Sequence, residues 1–206
     1  MSYVQGVSAE EGLYIPAAGR IDMVYDDHRQ LVYITAGDSL LRYRPATASF
    51  ETPLLLGGTP SGVDISPDGN WLAVANQDYN DEHVWIHLVD LENWQEDKVL
   101  FDIAYAEGGT YTVAYGADGT IFTTSLYRGS GWVPFRRYDP DTQEVTTIST
   151  VRMRSMLRAS ADRNMIAVAE ASISSGSWRL FDVVSEAQVL AGGTGWVNYE
   201  IATNSS

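Results

Sequence analysis

The 206-residue chain contains no cysteine, a single lysine (Lys98) and three histidines. Without cysteine there are no disulfides, no thiolate nucleophile and no cysteine-ligated zinc. No apolar run approaches the roughly 18 residues that a membrane-spanning helix needs, so insertion into a membrane is not expected. Positive charge is scarce too: 13 basic against 27 acidic residues leave a net charge of −14 and a sequence pI near 4.4. Such a surface repels nucleic acid and anionic lipid, and neither is expected as a partner. The opening stretch MSYVQGVSAEEG has neither the basic nor the apolar region of a signal peptide. The expectation is a soluble protein, either cytoplasmic or a fragment of an exported protein.

What the chain does have is repetition. Asp68-Gly69, in DISPDGNWLAVAN, lies between two strand-like runs, and Asp-Gly between such runs is a strong hairpin signal. Comparable turns occur at Asp27 (YDDHRQLVYIT), Asp118 (YGADGTIFTT) and Asp162 (ASADRNMIAVA). Each is followed by a run rich in β-branched and apolar residues, as buried strands require. A second landmark, an apolar or aromatic residue before a turn, advances in step at Tyr43, Val89, Tyr138 and Phe181. Each unit therefore reads as four strands, and a four-stranded repeat of roughly 40 to 50 residues is the blade of a β-propeller. The competing fold is an antiparallel sandwich with irregular strand spacing.

The predicted fold is all-β, a propeller of four-stranded antiparallel blades: four full repeats at about 20–58, 59–104, 108–150 and 152–192, in a single domain spanning 1–206. Residues 1–19 and 195–206 supply a partial fifth blade. In one reading, a strand at Trp196–Thr203 joins an N-terminal hairpin and closes a five-bladed ring. In the other, the chain is a segment of a larger ring, and its open blade edges invite self-association.

The segment TPSGVDISPDGNWLAVAN, Thr59 to Asn76, resembles the YVTN-type repeat, whose pattern runs Pro-x-Gly-Val, Ser-Pro-Asp-Gly and a strand ending in Ala-Asn. The other units match it more loosely. SADRN lacks the glycine, and DDHRQ lacks the proline as well. The resemblance implies a relative of lactonase-like and WD40-like propellers, a group with enzymes, surface-layer and adhesin modules. The matching motif is structural, and no catalytic residue comes with it.

Loops on a rigid scaffold usually carry function. The loops expected at the channel mouth present Arg20, Tyr111, Arg128, Trp132, Arg152, Arg154 and Trp196. Arginine and aromatic groups together suit a carboxylate, a phosphate or a sugar face. The bland alternative is pairing with the surplus acids. No cofactor is expected from any motif, although Asp78, Asn80 and Glu82 alternate in an acidic loop with oxygen ligands suited to calcium. His83, Trp85 and His87 share one strand face, with His83 and His87 about 13 Å apart, too far to share a metal, and packing between blades is expected. His28 falls in an outer turn. No nucleophile elbow, phosphate loop or zinc-protease motif occurs. The expected function is a non-enzymatic binding or scaffold module for a protein or a small polar ligand, standing alone or within a larger surface or extracellular protein. The alternative is a lactonase- or lyase-like enzyme acting on a small polar substrate.

Overall fold

The computed structural model describes residues 14–202. Its strands form four antiparallel meanders in chain order. The first sheet comprises β1 (Arg20–Asp26), β2 (Leu31–Ala36), β3 (Ser39–Arg44) and the short β4 (Ser49–Phe50) and β5 (Leu54–Leu55). The second comprises β6 (Pro60–Ile65), β7 (Trp71–Tyr79), β8 (His83–Asp90) and β9 (Gln95–Asp102). The third comprises β10 (Glu107–Tyr115), β11 (Ile121–Tyr127), β12 (Trp132–Tyr138) and β13 (Val145–Arg152). The fourth comprises β14 (Met156–Ala159), β15 (Met165–Ala169), β16 (Ser177–Asp182) and β17 (Gln188–Gly193). The fold is thus all-β and propeller-like. Among the described residues, no helix is long and apolar enough to cross a membrane.

Turn chemistry sets the register. Ser66 Oγ donates to Asp68 Oδ1 (2.5 Å) and accepts the amide of Trp71 (2.9 Å), while Gly69 takes φ +72°. The fourth sheet repeats this with Ser160, Asp162 and the amide of Met165, but Arg163 stands where the glycine was, at φ +57°. In the first turn the amide of Arg29 goes to Asp26 (2.9 Å) rather than Asp27, and Gln30 carries the positive φ. Three apolar cores then bind the sheets face to face. Leu40, Leu72 and Val89 lie between the first and second, Ile86, Phe101 and Ile121 between the second and third, and Phe122, Phe135 and Ile166 between the third and fourth.

The innermost strands share no ladder across sheets, yet lie close. Thr35 Oγ1 donates to Ser61 O (2.6 Å), Ser61 Oγ to Tyr111 O (2.9 Å), and Thr112 and Thr124 hydroxyls to Ser155 O (3.0 and 2.7 Å). Two glycines permit the approach. A Cβ on Gly62 would lie 2.6 Å from the Cα of Thr112, and one on Gly109 would lie 2.1 Å from the carbonyl carbon of Gln77.

Two faces lack a neighbouring sheet among the described residues. On the first sheet, β1 leaves Ile21, Met23 and Tyr25 exposed, next to a cavity of about 510 Å³ bordered by Ile15 and Ala17. On the fourth, Trp178 and Leu180 face a cavity of about 760 Å³ that Asn198–Ala202 flank. The expected strand at Trp196–Thr203 is not formed over its described part, residues 196–202. Thr194 Oγ1 donates to Trp196 O (2.8 Å) and Asn198 Nδ2 to Ser177 O (3.0 Å), so the chain is held in an irregular path at the sheet's end. The expected N-terminal hairpin falls mostly in residues 1–13, outside those described.

Because Gly62 is wedged against backbone, Gly62→Ala must push β6 from β10. The expected loss is about 1–3 kcal/mol, read as a lower urea midpoint with an unchanged m-value.

Candidate functional site at the central channel

The four innermost strands each point alternate side chains toward a shared axis. Three of them place a charge there: Asp22 on β1, Asp64 on β6 and Arg158 on β14. Two cavities lie between these strands. The end at which these strands finish is a cavity of about 290 Å³ lined by Met23, Val24, Asp64, Ala114 and Arg163. The end at which they start, about 310 Å³, is lined by Ile21, Asp22, Tyr111, Met156, Tyr199 and Glu200. Arg158 borders both.

The two carboxylates are held differently. Asp64 Oδ2 accepts the amide of Tyr115 (2.8 Å) and Nη1 of Arg163 (2.8 Å), and Oδ1 accepts the amide of Ile65 (2.9 Å) and Nη2 of Arg163 (3.2 Å). It is a fully engaged fork pair. Asp22 receives the amides of Met23 (2.9 Å) and Val63 (3.2 Å), but Nη2 of Arg158 stays 3.7 Å from its Oδ1. Burial pushes the Asp22 carboxyl above the usual carboxylate range; the Arg158 guanidinium and the two amides pull against it, and Asp64 adds to the rise. Among the described residues, the side chain of Arg158 hydrogen-bonds only Leu157 O (3.0 Å), and it is 40% exposed.

Of the residues singled out from sequence, Tyr111 lines this mouth. Arg20 begins β1, bonds Ala17 O (3.3 Å) and borders the flank cavity. Arg128 lies over the Tyr79 ring (5.3 Å). Trp132 pairs in register with Arg152 across β12 and β13, and Arg152 ties the carbonyls of Gly131 and Ser172 together with the Ser130 hydroxyl. Arg154, at φ +60°, sits in the exposed turn before β14, and Trp196 is 81% exposed beyond β17. The structure therefore brings Arg152 and Trp132 together on one rim, apart from the axis. In the acidic loop, Asn80 Oδ1 accepts the amides of Glu82 (2.9 Å) and His83 (2.6 Å), and the Asp78 amide donates to Asn76 Oδ1 (3.0 Å). Among the described residues, no three His, Asp or Glu side chains converge as a metal cluster.

Sequence reasoning passed over Asp22, Asp64, Arg158 and Arg163. The signal was present, since IDM, VDI and LRA each set one charge between apolar neighbours on an inner strand. It also passed over a series of pairs in the third strands. Arg42 meets Glu51 (3.6 Å), His87 meets Glu96 (2.8 Å), Arg136 meets Glu107 and Arg179 meets Glu170 (2.8 Å).

His87 lies opposite Val74, on the face of the second sheet that packs toward the first, and it is fully buried there, with its hydrogen bonds made within its own sheet. Asn76 Oδ1 accepts the amides of Thr59 (3.2 Å) and Asp78 (3.0 Å), which fixes its Nδ2 as the group facing His87 Nε2 (2.9 Å). Nε2 must therefore accept, and Nδ1–H donates to Glu96 (2.8 Å), so the ring is neutral. Burial holds its pKa below the usual histidine range despite Glu96.

Comparison with known proteins adds the fold and little else. No family model matches the chain, and no curated protein matches it. Among solved structures, Kuenenia stuttgartiensis hydrazine synthase is similar over 92% of this chain, with a TM-score of 0.65 and 17% identity. The chain spans about half of that protein's chain, 52%. At this identity the likeness concerns fold alone.

A histidine held neutral binds fewer protons folded than unfolded below about pH 6.5, so stability falls as pH drops through that value. Urea unfolding from pH 7.5 to 5 should show a loss of up to about 1.4 kcal/mol per pH unit from this group. The slope should diminish in His87→Gln.

Proposed function

We propose that the chain is a non-enzymatic propeller-type binding module that takes a small polar ligand in its channel. The observation behind this is the state of the polar groups lining the axis. Asp64 is saturated by Arg163 and two amides, the Thr112 hydroxyl is spent on Ser155 O, and Ser160 Oγ donates to Asp162. Among the described residues, no hydroxyl there is hydrogen-bonded to a histidine. The histidines lie elsewhere: His87 is buried in the second sheet, His83 stands near Asp102 (3.8 Å) at a strand end, and His28 lies in the first turn. What the channel offers instead is a set of preformed contacts, one of them a loosely engaged charge pair.

The YVTN-type character of Thr59–Asn76 supports a repeat scaffold with no chemistry built into the repeat. It fits a stand-alone module and a segment of a larger surface protein equally. For the lactonase- or lyase-like alternative, no cluster of acids and histidines stands at the axis among the described residues. Lactones and sugar acids incubated with calcium or magnesium should show no turnover above a heat-inactivated control. A thermal-shift panel of small polar compounds should contain at least one that raises Tm, and Tyr111→Ala should reduce that shift. Turnover that survives purification and disappears in Asp22→Asn would overturn the binding reading.

A further inference from the structure

The Asp22–Arg158 pair is the unusual feature of the axis. It joins the first and fourth sheets across the channel, at 3.7 Å, without a hydrogen bond between the two side chains. Each partner keeps unused capacity. Arg158 spends one hydrogen bond on Leu157 O, leaving most of its five donors open. Asp22 receives only two backbone amides and sits where burial disfavours its charge. Glu200 stands at the same mouth with no hydrogen bond or ion pair among the described residues. Around these ions the walls are apolar or aromatic: Ile21, Tyr111, Met156, Tyr199 and Ile201.

A ligand suited to that mouth carries two opposite charges a few ångströms apart, with an apolar extension. A lone anion would engage Arg158 but meet Asp22 and Glu200. A lone cation would satisfy the acids and compete with Arg158. We infer that the channel mouth binds a free α-amino acid with an apolar side chain, its carboxylate on Arg158, its ammonium on Asp22 and Glu200, and its side chain against Ile21, Met156 and the two tyrosines. The cavity of about 310 Å³ is at the small end of ligand pockets and suits a molecule of that size. The inference rests on the binding-module reading and names the class of ligand for it. Fork geometry gives Arg158 its preference for carboxylate.

Isothermal titration with three matched probes tests it: L-leucine, 4-methylpentanoate, which lacks the amine, and 3-methylbutylamine, which lacks the carboxylate. L-Leucine should bind at least about tenfold tighter than either, since each lost charge-assisted contact is worth that much or more. Arg158→Gln should cost L-leucine about tenfold or more while the amine binds no more weakly, its competitor for Asp22 being gone. Asp22→Asn should weaken L-leucine and the amine together and leave the carboxylate binding as tightly or tighter. Because Asp22 accepts the Val63 amide, its variant is checked for an unaltered melting transition. Should it fail to fold, Arg158→Gln and Glu200→Gln carry the test, as neither side chain makes a hydrogen bond to another strand among the described residues. Equal affinity for L-leucine and 4-methylpentanoate overturns the inference in favour of a simple anion site. Absence of heat for all three at millimolar concentration also overturns it. If another compound in the panel still binds, the binding-module reading survives that failure.

Discussion

The seam between innermost strands governs the rest of this structure. Sheets that stack around an axis cannot continue a backbone ladder from one to the next, so the converging edges must satisfy their polar groups otherwise. Here side-chain hydroxyls do it: Thr35 to Ser61, Ser61 to Tyr111, Thr112 and Thr124 to Ser155. A hydroxyl stitch is short, and it draws the backbones together only where no Cβ intervenes, which is the role of Gly62 and Gly109. The apolar cores then fill the widening space behind the seam, with larger side chains such as Phe101, Phe122 and Phe135 farther from it. The first strands are thereby drawn close, and Arg158 of the fourth sheet reaches Asp22 of the first.

Away from the axis, an arginine or, in the second sheet, the neutral His87 on each third strand meets a glutamate. In the first two sheets that glutamate lies nine residues farther along, Arg42 with Glu51 and His87 with Glu96. In the third and fourth it comes from elsewhere, Glu107 at the start of β10 and Glu170 after β15. Glu107 also receives Ser125 Oγ (2.6 Å) and the amide of Ala104 (2.8 Å), so its buried charge is surrounded by donors. A pair this buried gains little net stability over an apolar replacement, but removing one partner strands the other. The pairs therefore fix how each third strand sits more than they hold the protein together.

The four-stranded unit was legible because its signals are local. Alternation in LVYIT or WLAVA and the Ser-x-Asp turn act within a few residues, and the structure uses Ser66 and Asp68 in that way. Where a local signal was weaker, position slipped: Asp26, not Asp27, takes the first turn's amide. The axis was illegible for the opposite reason. Asp22, Asp64 and Arg158 belong to three strands far apart in the chain, and a single charge in an apolar strand does not announce its partner. Loop arginines drew attention by composition, yet Arg152 serves to tie neighbouring loops. The Trp196–Thr203 run has a strand's alternation, but over its described part, residues 196–202, it pairs with no strand, and alternation without a ladder leaves an irregular segment.

Arg163 holds a left-handed backbone conformation that costs an ordinary residue energy, and its guanidinium grips Asp64 from 99 residues away. Closing so long a loop costs more entropy than closing a hairpin, by about 0.6 kcal/mol for each doubling of length. The turn's own bonds through Ser160 and Asp162 form locally, whereas the clasp forms only when the second and fourth sheets are both in place. The clasp thus registers that the third sheet has brought its two neighbours together.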